Sequence, residues 1–483
     1  MASDVAPGRS APRHPLRHLG APDSLLRVPG VGPLVAASLL SSIGSATALL
    51  AVAYVSFHYS HSLIHTVIVA TAYSLPAAIV GMWAGRVADS HDHRRIIVVT
   101  DTAKVLIWVG AAMLDVAGWL NPAWLTLTAL LAGVAGAIQY PSWQEFERQL
   151  VSPDRLSEAN ALFSSLGALD SVLGAVAGGI VVTWLGPAWT FAFNAFTYVP
   201  LMIIVAQSPV GERAARRVEP ERLRDSLSYA RHEQAVRLSI GLVGVLTFLA
   251  VPIASLLPAL ADELSDSAHI LGIVTAFYGL GGSLVALVLR ELTRNSKPSA
   301  VRLVVPAILA CGLSLVIIGI LGGRLGGVGR QIAVFALLVP IGLGIALAEA
   351  VLSATLQLSS SAEMEGRMIA LYGMVVSLVA PIGGITLALI AQARTVWLAV
   401  AIAGVLLTVF AGGMALFSPS VQLGADPARQ SQAAIDHGVH LGRYAAGFLH
   451  PGHFHPLTVG AGSRASRDSR RAEASRATDG SPA

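Results

Sequence analysis

Charge is what this chain has least of. Only 12% of its 483 residues are Asp, Glu, Lys or Arg, against about 25% in an ordinary soluble domain. A surface that meets water on every side cannot be built from so little charge, which excludes a soluble globular fold. Cysteine occurs once, at Cys311. An intramolecular disulfide is therefore impossible, and Cys311 reads as a small buried apolar residue. No phosphate-binding glycine loop with its lysine is present, so ATP is not expected as a direct energy source. No nucleophile, base and metal arrangement emerges, so neither an enzyme nor a cofactor is expected. The first 30 residues contain Arg9, Arg13, Arg17 and Arg27 and no continuous apolar core, so no signal peptide is expected there. The formal net charge of +4 is no nucleic-acid signal, because it is distributed as a topology signal.

Hydrophobic residues, in contrast, make up 54% of the chain, and 47 residues are glycine. A spanning helix needs about 20 predominantly apolar residues. Twelve such stretches are found: Pro33–Ser56, Ile64–Gly85, Ile96–Val116, Ala123–Tyr140, Ala159–Leu185, Pro187–Ala206, Leu238–Leu260, Leu271–Leu289, Leu303–Leu321, Gln331–Val351, Met368–Ala391 and Val396–Phe417. The predicted fold is an all-α polytopic membrane protein of about twelve helices in two pseudo-symmetric six-helix bundles. Glycine at this level suits helices that approach closely in lipid.

The arginines alternate between loops. Arg86, Arg94, Arg95, Arg148, Arg155, Arg290, Arg294, Lys297 and Arg302 fall on one side, together with the seven arginines between Arg213 and Arg237. The other side has Arg324, Arg330 and Arg394. The positive-inside rule makes the basic side cytoplasmic, with both termini there and the protein in the inner membrane. The expected organisation is a cytoplasmic tail over 1–30, a first bundle over 31–207, a cytoplasmic linker over 208–237, a second bundle over 238–418 and a largely disordered cytoplasmic tail over 419–483. Within the linker, Pro220 to Arg237 fits an amphipathic helix with Leu223, Leu227 and Ala230 on one stripe. It lies either against anionic lipid or in solvent as a linker helix. The tail histidines His437, His440, His450, His453 and His455 read as part of a flexible segment.

The halves resemble each other. Val69-Ala70-Thr71-Ala72-Tyr73-Ser74-Leu75 matches Val274-Thr275-Ala276-Phe277-Tyr278-Gly279-Leu280, and Ala161-Leu162-Phe163 matches Ala370-Leu371-Tyr372. Such weak repeats typify secondary transporters.

Gly85-Arg86-Val87-Ala88-Asp89-Ser90-His91-Asp92-His93-Arg94-Arg95 resembles the signature between the second and third helices of the major facilitator superfamily. Pro153 to Leu162, the Gly174, Gly178 and Gly179 group and Gly366 to Tyr372 are similar to its siderophore-exporter and macrolide-efflux branch. Ser90, His93, Ser171 and Ala175 depart from the usual pattern. His91 and His93 belong to the loop motif, and no metal is expected there.

The resemblance implies a cytoplasmic gate of Gly85, Asp89, Asp92, Arg94, Arg95, Glu158, Arg294 and Arg367. Asp89 would face the start of the eleventh helix and pair with Arg367. Comparing the halves adds a second diagonal pair, Arg294 with Glu158. Arg94 and Arg95 would anchor the loop to phosphates or nearby acids. Ionisable groups at membrane depth are costly and tend to be functional, so Asp170 and Glu349, with Gln139 and Tyr140, are the candidates for proton coupling or the cavity. Asp101 and Lys104, three apart, read as a structural pair on one helix face, and Asp115 as an interface charge. Gly174, Gly178 and Gly179 read as helix packing. The expected function is proton-coupled export of an amphipathic small molecule, drug or siderophore-like, by alternating access. The alternatives are a lipid or lysolipid flippase, and a non-transporting membrane sensor or scaffold. The expected partners are a small-molecule substrate, protons and membrane lipids, with the protein a monomer.

Overall fold

The computed structural model describes residues 25, 30–151, 155–208, 223–265, 267–294, 304–360 and 364–417. All regular structure among them is helical. The first half of the chain supplies α1 (Val31–Ser60), α2 (Leu63–Ser90), α3 (His93–Val116), α4 (Pro122–Gln149) and α5 (Leu156–Gln207). A short α6 (Leu223–His232) follows. The second half supplies α7 (Gln234–Leu249), α8 (Ile253–Leu264), α9 (Ala268–Ser283), α10 (Val285–Arg294), α11 (Val304–Gly322), α12 (Gly327–Leu358), α13 (Glu365–Ala393) and α14 (Val396–Phe417).

Eleven helical segments are long and apolar enough to cross a membrane, one fewer than the sequence predicts. The difference lies in α5, which joins two expected spans without a loop. Gly186 breaks it, with φ 84 and ψ 175, a left-handed-side conformation open to glycine and strained for other residues. The helix then restarts on Pro187, whose ring suits a first turn. The two arms double back. Thr47 of α1 donates to the Gly174 carbonyl of the first arm, while Ser45 of α1 contacts Asn194 and Tyr198 of the second. Asp115 of α3 holds this corner, because its Oδ2 accepts from the Ala188 backbone N–H at 2.9 Å and its Oδ1 from the Tyr59 hydroxyl at 3.2 Å. Asp115 therefore caps the second arm, where the sequence predicts an interface charge. α7 and α8 form one span broken at Ala250–Pro252, and α9 and α10 another broken at Leu284.

The sequence repeat has a structural counterpart. A Cβ added at Gly133 of α4 would lie 2.1 Å from the Tyr73 carbonyl oxygen of α2, and one at Gly342 of α12 would lie 2.0 Å from the Tyr278 carbonyl oxygen of α9. Gly174 in turn abuts Ile43 and Ala46 of α1 as Gly383 abuts Phe248 of α7. These close approaches need glycine, and the carbonyls that Gly133 and Gly342 press on belong to Tyr73 and Tyr278, which the repeat pairs.

One large apolar core is shared by both halves. It takes in Val52 and Val55 of α1, Leu63 and Val67 of α2, Val182 of α5 and much of α8 and α9. Among the described residues, each half also has its own smaller cluster at the arginine-bearing end. Leu34, Ile97, Trp143, Phe146 and Val205 form one cluster from the first half. Val236, Leu356, Met368 and Tyr372 form another from the second. Tyr229 and Ala230 of α6 pack into the latter, so α6 is docked on the second half through its apolar stripe. The side chains of Leu223 and Leu227 lie outside the described residues.

Candidate transport site

At the arginine-bearing end, α2 closes on Ser90 and Asp92 starts α3. The Asp92 carboxylate accepts from the Arg94 backbone N–H at 2.9 Å, capping the helix. Arg94 Nη2 donates to Asp92 Oδ2 at 3.1 Å, and its Nη1 to the Ser208 carbonyl at 3.1 Å. Partial burial raises the Asp92 carboxyl. The hydrogen bonds from Arg94 and the charges of Arg94 and Arg95 outweigh this and hold it below its ordinary value. Arg94 thus anchors the loop to an acid and to the end of α5, while Arg95 is exposed. A Cβ at Gly85 would meet open space.

Arg367 sits in the first turn of α13, half-buried, and donates to the Met364 sulfur at 3.7 Å. Glu158 lies in the first turn of α5, Arg294 ends α10, and Asp89 lies in the last turn of α2. Asp170 lies within the first arm of α5. The side chains of Asp89, Glu158, Asp170 and Arg294 lie outside the described residues, and with them both expected diagonal pairs.

Deeper in, Glu349 of α12 is 7% exposed. It makes no hydrogen bond or ion pair among the described residues, and Tyr278 of α9 is its electrostatic neighbour. Tyr140, 6% exposed, accepts from Gln144 Nε2 at 2.5 Å. Gln139 belongs to a different group. It donates to Asp101 Oδ1 at 2.8 Å and accepts from Lys104 Nζ, which also lies 3.4 Å from Asp101 Oδ1. The expected Asp101–Lys104 pair is present, and Gln139 is part of it.

At the opposite end of the molecule the two halves touch. Gln392 Nε2 of α13 donates to the Ser62 hydroxyl at the start of α2, at 2.7 Å. Gly384 of α13 faces Val67 of α2. Gly179 of α5 and Gly272 of α9 meet backbone to backbone, and a Cβ on Gly179 would lie 2.9 Å from the Gly272 Cα. Gly178 packs on Thr47 and Leu50 of α1. Gly174, Gly178 and Gly179 of α5 thus divide between packing within the first half and contact with the second.

The family profile described as transmembrane secretion effector matches residues 26–436. The chain belongs to this family of major facilitator transporters. Among curated relatives, the enterobactin exporter of Shigella boydii is 27% identical over 246 residues, covering 49% of this chain and 58% of that protein. Macrolide efflux protein A of Streptococcus pyogenes is 24% identical over 327 residues, covering 66% and 78%. A bacterial homologue of the iron transporter ferroportin, solved in an inward-facing state, superposes with TM-score 0.62 at 16% identity, covering 82% of this chain and 100% of that one. The xylose transporter of E. coli, solved inward open, gives TM-score 0.60 at 13% identity, covering 80% and 95%. These two likenesses carry the fold alone.

As a major facilitator transporter, this protein is a multi-pass membrane protein and not an enzyme. Two parts of its site escape sequence reasoning. Ser62 and Gln392 are ordinary polar residues at span ends, and nothing in the sequence pairs them. Gln139 lies far in sequence from Asp101 and Lys104, and only the packing of α3 on α4 joins them.

Proposed function

We propose that this transporter exports an amphipathic small molecule, drug or siderophore-like, across the cytoplasmic membrane by alternating access, with protons flowing inward as the driving ion. Its two six-helix bundles, over 31–207 and 238–418, rock against each other. The basic end is cytoplasmic, and both termini lie there. The observation that carries the reading is the arrangement of the cores among the described residues, joined between the halves at the end opposite the arginines and in separate clusters from each half at the arginine-bearing end. That is the state in which a transporter accepts cargo from the cytoplasm. The two exporter relatives support the direction and the cargo class.

Glu349 carries the proton. It is a buried carboxylate without an ionic partner among the described residues, so its charge is uncompensated when the proton leaves. Asp170 is the second candidate, on its depth in α5. The cytoplasmic gate closes through Asp89 with Arg367 and Glu158 with Arg294 when the outer seam opens.

The test is uptake into everted membrane vesicles of labelled enterobactin and labelled erythromycin, with and without a protonophore. Protonophore-sensitive accumulation of either supports the reading. Accumulation of neither, or accumulation insensitive to the protonophore, overturns it. Impermeant thiol labelling of single cysteines placed at Arg324 and in the 208–237 linker checks the topology. Labelling of the linker from outside intact cells overturns it.

A further inference from the structure

The first half carries a second buried carboxylate that this reading leaves unused. Asp101 of α3 is fully buried. Its Oδ1 accepts from both Lys104 and Gln139. Its Oδ2 is equally buried and has no hydrogen-bond donor among the described residues. A bare carboxylate oxygen in a protein interior is costly, and such orphans mark sites where something binds or reacts. Along the same network, the Lys104 ammonium lies 5.3 Å from the centre of the Tyr198 ring. The Tyr198 hydroxyl bonds Ser45 of α1 at 2.8 Å, and Ser45 lies 3.4 Å from Asn194 Oδ1. The Nδ2 of Asn194 is a second buried orphan.

We propose that Asp101 is a proton-binding site of the transport cycle, with Lys104 as its counter-charge and Gln139, Tyr198 and Ser45 as positioning residues. This rests on the proton-driven reading and adds a site in the opposite half from Glu349. The proton joins the unpartnered Oδ2, arriving from water on one side of the membrane and leaving to the other, and no other covalent bond changes. With Asp101 ionised, the Asp101–Lys104 pair is neutral. With Asp101 protonated, the ammonium loses its counter-charge and keeps only the Gln139 carbonyl and the Tyr198 ring. Any shift of Lys104 toward that ring presses on the Tyr198–Ser45 bond. It therefore reaches α1, which packs across the halves on α8 and α9. Among the described residues, Asp101 is faced by Lys104 on its own helix, by Gln139 from α4 and, through Lys104, by Tyr198 from α5. Tyr73 of α2 is coupled electrostatically to Tyr198.

The test reads protonation directly and needs no substrate. The full-length protein in liposomes is titrated while the infrared band of protonated carboxyl groups is followed. Asp101→Asn should remove one titrating component, and Glu349→Gln a different one. Because Asp101→Asn leaves Lys104 unpaired and can impair folding, the neutral pair Asp101→Asn with Lys104→Gln is titrated as well and should show the same loss. Tyr198→Phe, which keeps the ring and drops the hydroxyl, should shift the midpoint of the Asp101 component. A purely structural tyrosine would leave it in place. An unchanged titration in the neutral pair overturns the proposal. If vesicle transport proves insensitive to protonophore while the Asp101 component persists, the proton-driven reading fails, and with it the role of Asp101 in the cycle, while proton binding at Asp101 stands.

Discussion

Gly179→Ala isolates the outer seam. The added Cβ would lie 2.9 Å from the Gly272 Cα and 3.3 Å from the Ala268 carbonyl oxygen. Both obstacles are backbone, so no side chain can rotate away, and α5 and α9 must part by several tenths of an ångström. Overpacking of this kind costs about 1–3 kcal/mol. Alanine also favours helix over glycine by about 1 kcal/mol, but residue 179 is helical in both states of the proposed cycle, so that gain cancels. The whole penalty falls on the sealed state, which shifts the equilibrium about 5- to 150-fold toward opening of this end. Cysteines at Ser62 and Gln392, which hydrogen-bond across the seam, report the change. A short thiol cross-linker should join them readily in the parent and several-fold more slowly in Gly179→Ala. Gly110→Ala is the control, because its Cβ meets nothing within 4 Å. Equal cross-linking in parent and Gly179→Ala would refute the reasoning.

Three further outcomes are expected. Glu349→Gln should abolish protonophore-sensitive accumulation in everted vesicles while leaving expression and thermal unfolding near the parent, and an unchanged pH profile would exclude Glu349 as the coupling group. Asp89→Arg should impair export and Arg367→Asp added to it should restore part of the activity, each pair being worth about 1 kcal/mol; a double variant no better than the single ends the gate reading. Asp92→Ala should cost about 1 kcal/mol through loss of the α3 cap, read as faster amide exchange at Arg94. Because the folded state holds the Asp92 carboxyl below its ordinary value, this contribution is complete above the ordinary carboxylate range and fades as the pH falls through it, so the parent and Asp92→Ala should converge in acid.

Long apolar runs made the spans legible, since backbone in lipid must bond within its own helix. The Tyr73/Tyr278 match was legible too, and it falls where Gly133 and Gly342 press on equivalent carbonyls. The merging of two spans into α5 was not. Gly186-Pro187 reads as a loop, yet one glycine with positive φ and a cap from distant Asp115 suffice to turn the chain. The packing of α6 was half legible. Its stripe marks an amphipathic helix, but not that Ala230 would be buried in a cluster of the second half rather than by lipid. Gln139 reads in the sequence as a cavity or coupling candidate, with no sign of the hydrogen bonds it makes to Asp101 and Lys104. Its partners Asp101 and Lys104 come from another helix, and single-sequence periodicity carries no information about which polar faces meet.

Among the contacts across the outer seam are glycine backbones, Val67 and an uncharged Gln392–Ser62 bond. The backbone contacts between Gly179 and Gly272 freeze no rotamers, so that part of the seam closes without loss of side-chain entropy. None of these contacts carries a charge, so neither salt nor acidity has a direct handle on them. In the proposed cycle, these seam contacts answer to geometry, while charge at this end is held beside them, in Asp115 at the α5 corner and in Arg330 and Arg394 near the span ends.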